Sequence, residues 1–110
     1  MTSSEKARAR RMAKYGLTIE KYEDILAAQN GVCKICGRPP KKQRLNVDHD
    51  HALEKKGLMF VRGLLCAMCN HKILGVIERY RVDPQKIVDY LQAASRNAAA
   101  HLAVSVGNLS

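Results

Sequence analysis

The chain has no tryptophan, a single phenylalanine and three prolines in 110 residues. A core short of aromatic bulk is built from small aliphatic groups, and at this length it is thin unless something staples it. No apolar run is long enough to span a membrane as a helix. The opening residues, Met1-Thr2-Ser3-Ser4-Glu5-Lys6, lack the apolar stretch of a secretory signal, so the expectation is a chain that works in a reducing compartment. Acids are scarce too. Ten Asp and Glu stand against nineteen Lys and Arg, a formal net charge of +9. That imbalance points to a polyanion, nucleic acid first, with an inert basic surface as the plain alternative.

What is present is concentrated. The four cysteines form two C-x₂-C pairs, Cys33 with Cys36 and Cys66 with Cys69. Disulfides are the competing reading, but the spacing and the reducing compartment favour zinc. Two thiolates two residues apart reach one tetrahedral ion when the backbone between them turns tightly, and Gly37 permits such a turn. Four thiolates close the shell of Zn²⁺, so this ion would hold structure and perform no chemistry.

Between the pairs lies Val47-Asp48-His49-Asp50-His51. On an extended chain His49 and His51 share one face, and Asp48 and Asp50 share the other. A bend after Val47 would bring Asp48 and His49 to a common point. Asn70 directly follows Cys69, so the cysteine clamp would carry it toward the end of the first strand. Phosphodiester hydrolysis needs a base for water, a cation for the developing charge, and contacts that align the phosphate. A neutral imidazole suits the base, while Mg²⁺ or Mn²⁺ accepts a carboxylate and an amide oxygen. Asp48, His49 and Asn70 supply these parts. Asp50 reads better as a turn former that bonds backbone. His51 has a catalytic and a structural reading, and Arg62 is either a phosphate contact or an ordinary exposed arginine.

Local patterns place these residues. Residues 4–14 form a basic helix with little to bury, either a solvated tail or an arm ordered on phosphates. Thr18 caps a helix to about residue 30, with Ile19, Tyr22, Ile25, Leu26 and Gln29 as its stripe and Gly31 as its stop. Leu45 to His49 alternates as a strand, residues 53–57 read as a turn, and Leu58 to Arg62 reads as a second, antiparallel strand ended by Gly63. A helix is expected from residue 64 or 65 to 79, burying Leu65, Met68, Ile73, Val76 and Ile77, with close packing or a bend at Gly75. Asp83-Pro84 opens a last helix to about residue 103, with Ile87, Val88, Leu91 and Ala94 on one side and a frayed tail after it. Its end, Ala98-Ala99-Ala100 with His101 and Leu102, offers a surface for a second copy, so a homodimer through the terminal helices is expected.

Val47-Asp48-His49-Asp50-His51, then Val61-Arg62-Gly63-Leu64-Leu65-Cys66-Ala67-Met68-Cys69-Asn70 and Leu74-Gly75, resemble the phage recombination endonuclease VII family, within the wider HNH or ββα-metal nucleases. The match covers about residues 15–80 and takes in Tyr15-Gly16-Leu17-Thr18 and Gly31-Val32-Cys33. It implies an α+β fold: a small zinc-stabilised ββα-metal (HNH) core at residues 15–82, a basic N-terminal helix or arm at 1–14, and a C-terminal helix and tail at 83–110. It also implies a metal-dependent DNA endonuclease leaving 5′-phosphate and 3′-hydroxyl ends by nicking or double-strand cleavage. Such an enzyme would be phage-encoded and work in the host cytoplasm, on branched or packaged DNA. By the resemblance, Asp48 and Asn70 hold catalytic Mg²⁺ or Mn²⁺, and His49 is the general base. His51 contacts the scissile phosphate or aligns metal and water, and Cys33, Cys36, Cys66 and Cys69 hold structural Zn²⁺. Ile73 departs from the pattern, since some relatives carry a carboxylate there. Resolvase members also carry a long C-terminal domain, where this chain has only the segment after Asp83, so general cleavage is the safer expectation. The other reading is a non-catalytic zinc-stabilised nucleic-acid-binding module, which has no need of Asp48 and His49 together with Asn70.

Overall fold

The computed structural model describes residues 1–109, with side chains described through residue 100. It divides into a unit over Met1–Gly75 and a second from Val76 onward.

The first unit opens with α1 (Ser3–Ala13), whose first turn is capped by Thr2 accepting from the Glu5 N–H. As expected, the helix has no buried residue, but it is not a detached arm. Met12 packs on the core. The Arg8 side chain is only 12% exposed and pairs with Glu23 at 2.9 Å. Its guanidinium also lies over the Tyr22 ring, 5.0 Å from the centroid. Packing and a cation–π contact thus tie the basic arm to α2 (Ile19–Ala28).

α2 follows its local signals. Thr18 caps it by accepting from Lys21 N–H, and Asn30 and Gly31 end it with φ of 59° and 73°. Tyr22 is its buried member, and its C-cap Gln29 is buried as well. The Tyr22 hydroxyl donates to Leu45 O at 2.6 Å, which satisfies the phenol inside the core.

β1 (Asn46–His49) and β2 (Val61–Leu65) form a two-stranded antiparallel sheet. Asn46 faces Leu65, Val47 faces Leu64 and Asp48 faces Gly63, but His49 faces Val61. The shift leaves Arg62 as an extra residue, a bulge. The second strand therefore lies three residues later than the sequence pattern suggested, and Gly63 sits inside it. Leu58, Met59 and Phe60 are exposed, while Leu64 and Leu65 are buried. The outer edge of β2 is served by a side chain. Leu64 N–H donates to Gln29 Oε1 at 2.9 Å, and Gln29 Nε2 donates to Leu64 O at 2.9 Å. A Cβ at position 63 would stand 3.2 Å from Gln29 Oε1, which accounts for the glycine.

The expected turn after β1 is the short helix α3 (His51–Lys55), capped by Asp50 accepting from Leu53 N–H at 3.0 Å. After β2 the continuous α-helix is replaced by a π-helix (Met68–Leu74) that hands over to α4 (Gly75–Arg79). Cys69 and Leu74, five residues apart, meet the core, in keeping with i→i+5 bonding. Met68, Ile73 and Val76, expected inside, are exposed. Gly75 marks the handover; a Cβ there would lie 3.4 Å from Asn70 O. The buried core is Tyr22, Cys33, Leu45, Val47, Leu64, Leu65 and Cys69, so two of the cysteines belong to it.

In the second unit, Asp83 accepts from Gln85 N–H at 2.9 Å and opens α5 (Pro84–Leu109). This helix runs past the expected end near residue 103, through most of the segment read as a frayed tail. Ile87, Val88 and Leu91 are exposed on it. The side chains of His101 and Leu102, offered for self-association, lie outside the described residues. Among the described residues no helix is long and apolar enough to cross a membrane.

Candidate active site and metal centre

The two C-x₂-C segments meet. The first closes through Gly37 N–H donating to Cys33 O at 3.0 Å and Cys33 N–H donating to Arg38 O at 2.9 Å, with Gly37 at a φ of 72°. Lys34 N–H donates to Leu64 O at 3.2 Å, which fastens this turn to β2 just ahead of the second pair. All four sulfur atoms lie within 4.8 Å of one another. Cys36 Sγ and Cys66 Sγ are 3.8 Å apart. A zinc ion with bonds of about 2.3 Å to a tetrahedron of sulfurs requires an edge of about 3.8 Å.

The thiols are unequal in proton affinity. Burial pushes Cys69 up to about 12, helped by sulfur neighbours that carry or share charge. At Cys33 burial acts the same way, but backbone N–H groups of Cys36, Cys66 and Ile35 outweigh it and bring the thiol down to about 6. Cys33 is thereby favoured as the thiolate and Cys69 as the thiol, and a dication is what lets Cys69 ionise. Both the donor set and the spacing fit a closed, structural Zn²⁺ site.

Beside this clamp is a groove of about 1290 Å³. Asp48, His49, His51 and Asn70 all line it, together with Tyr15 and His71. Its walls carry Arg8, Arg11 and Lys14 from α1 and Lys41, Lys42 and Arg44 from the loop before β1. The two halves of the expected site thus open onto one basic surface. β1 supplies Asp48 and His49, α3 supplies His51, and the π-helix supplies Asn70. The π-turn sets the direction of Asn70, a common use of such irregularities.

Asp48, His49 and His51 each already have a contact. Arg62 donates through Nε to Asp48 Oδ2 at 2.8 Å and through Nη2 to Oδ1 at 3.0 Å. The Asp48 side chain is 7% exposed, so this two-pronged pair neutralises a buried carboxylate. The bulge places Arg62 for it, in place of the expected bend after Val47. His49 Nε2 meets Glu54 Oε2 at 2.8 Å, and among the described residues nothing bonds its buried Nδ1. The His51 ring lies against His49, centroids 4.5 Å apart, and its Nδ1 is 3.6 Å from the same Glu54 oxygen. The Tyr15 ring covers His49 from another side at 5.4 Å.

Glu54 is the residue that sequence reasoning missed. A signal for it existed: Asp50 followed by Ala52-Leu53-Glu54-Lys55 is a cap before good helix formers, which puts Glu54 one turn from His51. Reading residues 53–57 as a turn hid that neighbour. Ile73, the position where the resemblance leads one to look for a carboxylate, is exposed.

Residues 8–93 match the family described as recombination endonuclease VII. The chain is 46% identical over 91 residues to the Gene 59 protein of Mycobacterium phage D29, covering 82% of this chain and 52% of that protein. It is 50% identical over 74 residues to the Gene 59 protein of Mycobacterium phage L5, covering 66% of this chain and 42% of that protein. The chain thus spans about half the length of these curated relatives. The family match runs through both cysteine pairs, the groove and α4, and extends well beyond any single motif; the chain belongs to the recombination endonuclease VII family.

Proposed function

We propose that this protein is a phage-encoded, HNH-type DNA endonuclease. It hydrolyses phosphodiester bonds in the host cell with the help of a divalent cation and leaves 5′-phosphate and 3′-hydroxyl ends. The observation that carries this reading is the meeting of Asp48, His49, His51 and Asn70 in one cation-lined groove. A duplex backbone is attracted by Arg11, Lys14, Lys41, Lys42 and Arg44 regardless of sequence, which suits cleavage or nicking without a strict site. Branched or packaged DNA is a substrate class within this proposal. Self-association through the terminal helices is a further part of it, for which the exposed Ile87, Val88 and Leu91 give an apolar face.

Asp48 and Asn70 offer a carboxylate and an amide oxygen, the hard ligands that Mg²⁺ or Mn²⁺ accepts. The ion, when bound, supplies Lewis acidity toward the phosphate and its leaving oxygen. Asp48 enters that role by giving up Arg62. His49 is the base. Glu54 Oε2, 2.8 Å from Nε2, orients the ring, as a carboxylate orients imidazole elsewhere in hydrolytic enzymes. Tyr15 and His51 pin the ring plane from two sides. His51, more exposed than His49, is placed to donate to a phosphate oxygen.

Supercoiled plasmid incubated with Mg²⁺ or Mn²⁺, against an EDTA control, tests the reading. His49→Ala, folded and zinc-loaded, should slow nicking by about 10² to 10⁴, the usual worth of a general base. Asp48→Ala should regain part of its loss at high Mn²⁺, and Asn70→Ala should behave alike. Cleavage by His49→Ala at the wild-type rate would overturn the assignment. If wild type bound DNA but cut no form of it with any divalent ion, the non-catalytic zinc-stabilised nucleic-acid-binding module would replace it.

A further inference from the structure

The geometry points to a second metal site, made by His49, His51 and Glu54 and selective for borderline transition cations such as Zn²⁺, through which such an ion switches off the groove. Its inhibitory half rests on the proposed role of His49 as base; its binding half does not. One ligand atom from each of the three residues lies within 4.8 Å of the others, outside the cysteine cluster. Glu54 Oε2 is the hub, 2.8 Å from His49 Nε2 and 3.6 Å from His51 Nδ1. Zinc bonds of about 2.0 Å in a tetrahedron need ligand atoms about 3.3 Å apart, a value that these two distances bracket. Small adjustments by one exposed histidine and one exposed glutamate suffice to admit the ion.

Donor chemistry sets the selectivity. Two imidazoles and one carboxylate suit Zn²⁺, Ni²⁺, Co²⁺ or Cu²⁺, whereas Mg²⁺ prefers oxygen and retains water. Mg²⁺ at Asp48 and Asn70 therefore leaves these three residues alone. The site is also weaker than the cysteine clamp. It has three protein ligands, and His51 and Glu54 are 59% and 46% exposed. An ion on His49 Nε2 displaces the proton there, and in a neutral ring that proton moves to Nδ1. Buried Nδ1 then becomes an N–H lacking an acceptor among the described residues, which costs affinity. With Nε2 on the ion and the proton on Nδ1, the ring keeps no lone pair with which to act as a base. Occupancy and base function thus exclude each other on one ring, without any change in the number of protons it holds.

The test uses the full chain carrying its one clamp zinc. Calorimetric titration with further Zn²⁺ should show a second, weaker equivalent that excess Mg²⁺ does not displace. The ring proton signals of His49 and His51 should move together over that equivalent, while those of His71 stay. His51→Ala and Glu54→Gln, both at exposed positions, should each weaken it by about tenfold or more, since even a ligand's supporting group is worth that much. Plasmid nicking by wild type should fall over the same Zn²⁺ range and return on chelation of the second equivalent. Absence of a second equivalent, or its survival at full affinity in both variants, overturns the site. If the second equivalent binds as described but nicking persists at saturation, the inhibitory half is wrong. If wild type cuts no DNA at all while the second equivalent still binds, the endonuclease reading has failed and the metal site stands.

Discussion

Gln29 stands in for a third strand, and its removal has a calculable cost. Its side chain is buried at the outer edge of β2 and makes three hydrogen bonds: Nε2–H to Leu64 O and to Val32 O, and Oε1 from Leu64 N–H. In Gln29→Met the volume is kept and the amide is lost. Leu64 is fully buried, so its N–H is left orphaned at about 1–3 kcal/mol. Leu64 O keeps a bond from Lys34 N–H and so loses less. That oxygen and Val32 O each give up a net bond of about 0.5–1.5 kcal/mol. The expected loss is about 2–6 kcal/mol, a large share of a stability that for domains is about 5–15 kcal/mol. Urea unfolding of the zinc-loaded protein measures it, and hydrogen exchange localises it, because the Leu64 amide should lose protection beyond the global change. A loss under about 1 kcal/mol with Leu64 still protected would show that the edge is satisfied another way. The reasoning would then fail.

Metal removal should unfold the first unit, since Cys33 and Cys69 are core residues, and Cys66→Ser should lose both the single clamp zinc and cooperative melting. Metal analysis of a folded, reduced sample decides it, and a folded zinc-free protein would contradict it. Zinc affinity should also fall as pH falls. Near pH 7 Cys33, at about 6, is largely thiolate while Cys69, at about 12, still holds a proton that the metal must displace. Below about pH 6 Cys33 protonates too, so the decline steepens; chelator competition at several pH values would refute this by showing a flat affinity. Duplex binding should weaken steeply with salt. If Arg11, Lys14, Lys41, Lys42 and Arg44 each meet a phosphate, the logarithmic slope is about −4.5, or a loss of about 500-fold between about 50 and 200 mM. Arg8 is left out because Glu23 and Tyr22 already engage it, so Arg8→Ala should cost stability more than salt slope. A binding constant insensitive to salt would contradict a backbone-directed interface.

Features governed by neighbouring residues were legible in the sequence. Thr18, Gly31 and Asp83-Pro84 set helix ends through caps and backbone conformations that need nothing from the rest of the fold. Two C-x₂-C pairs, the first followed by a turn glycine, read directly as one metal site, and the α+β class came with the family resemblance. What could not be read depends on partners far along the chain. Leu58-Met59-Phe60 carries a strand-like apolar pattern. The strand nevertheless forms at Val61–Leu65, where Leu64 and Leu65 find the core and Gln29 waits for their edge. The π-helix escaped because helix and strand patterns were sought at periods of 3.6 and 2, and Cys69 with Leu74 fits neither. In sequence Arg62 is either a phosphate contact or an ordinary exposed arginine; a single bulged residue turns it onto Asp48 instead.

That Arg62–Asp48 pair makes the groove behave like a resin stored in its counterion form. A carboxylate this buried would be expensive to leave bare, and the guanidinium keeps it neutralised whenever no dication is present. If Asp48 takes a divalent ion as proposed, that ion arrives by exchange and not by simple addition, so its apparent affinity is set by the difference between two cations. Loading and unloading then proceed without ever exposing an uncompensated charge to the core. On that proposal folding would rest on the ion held by sulfur and not on the reactive one.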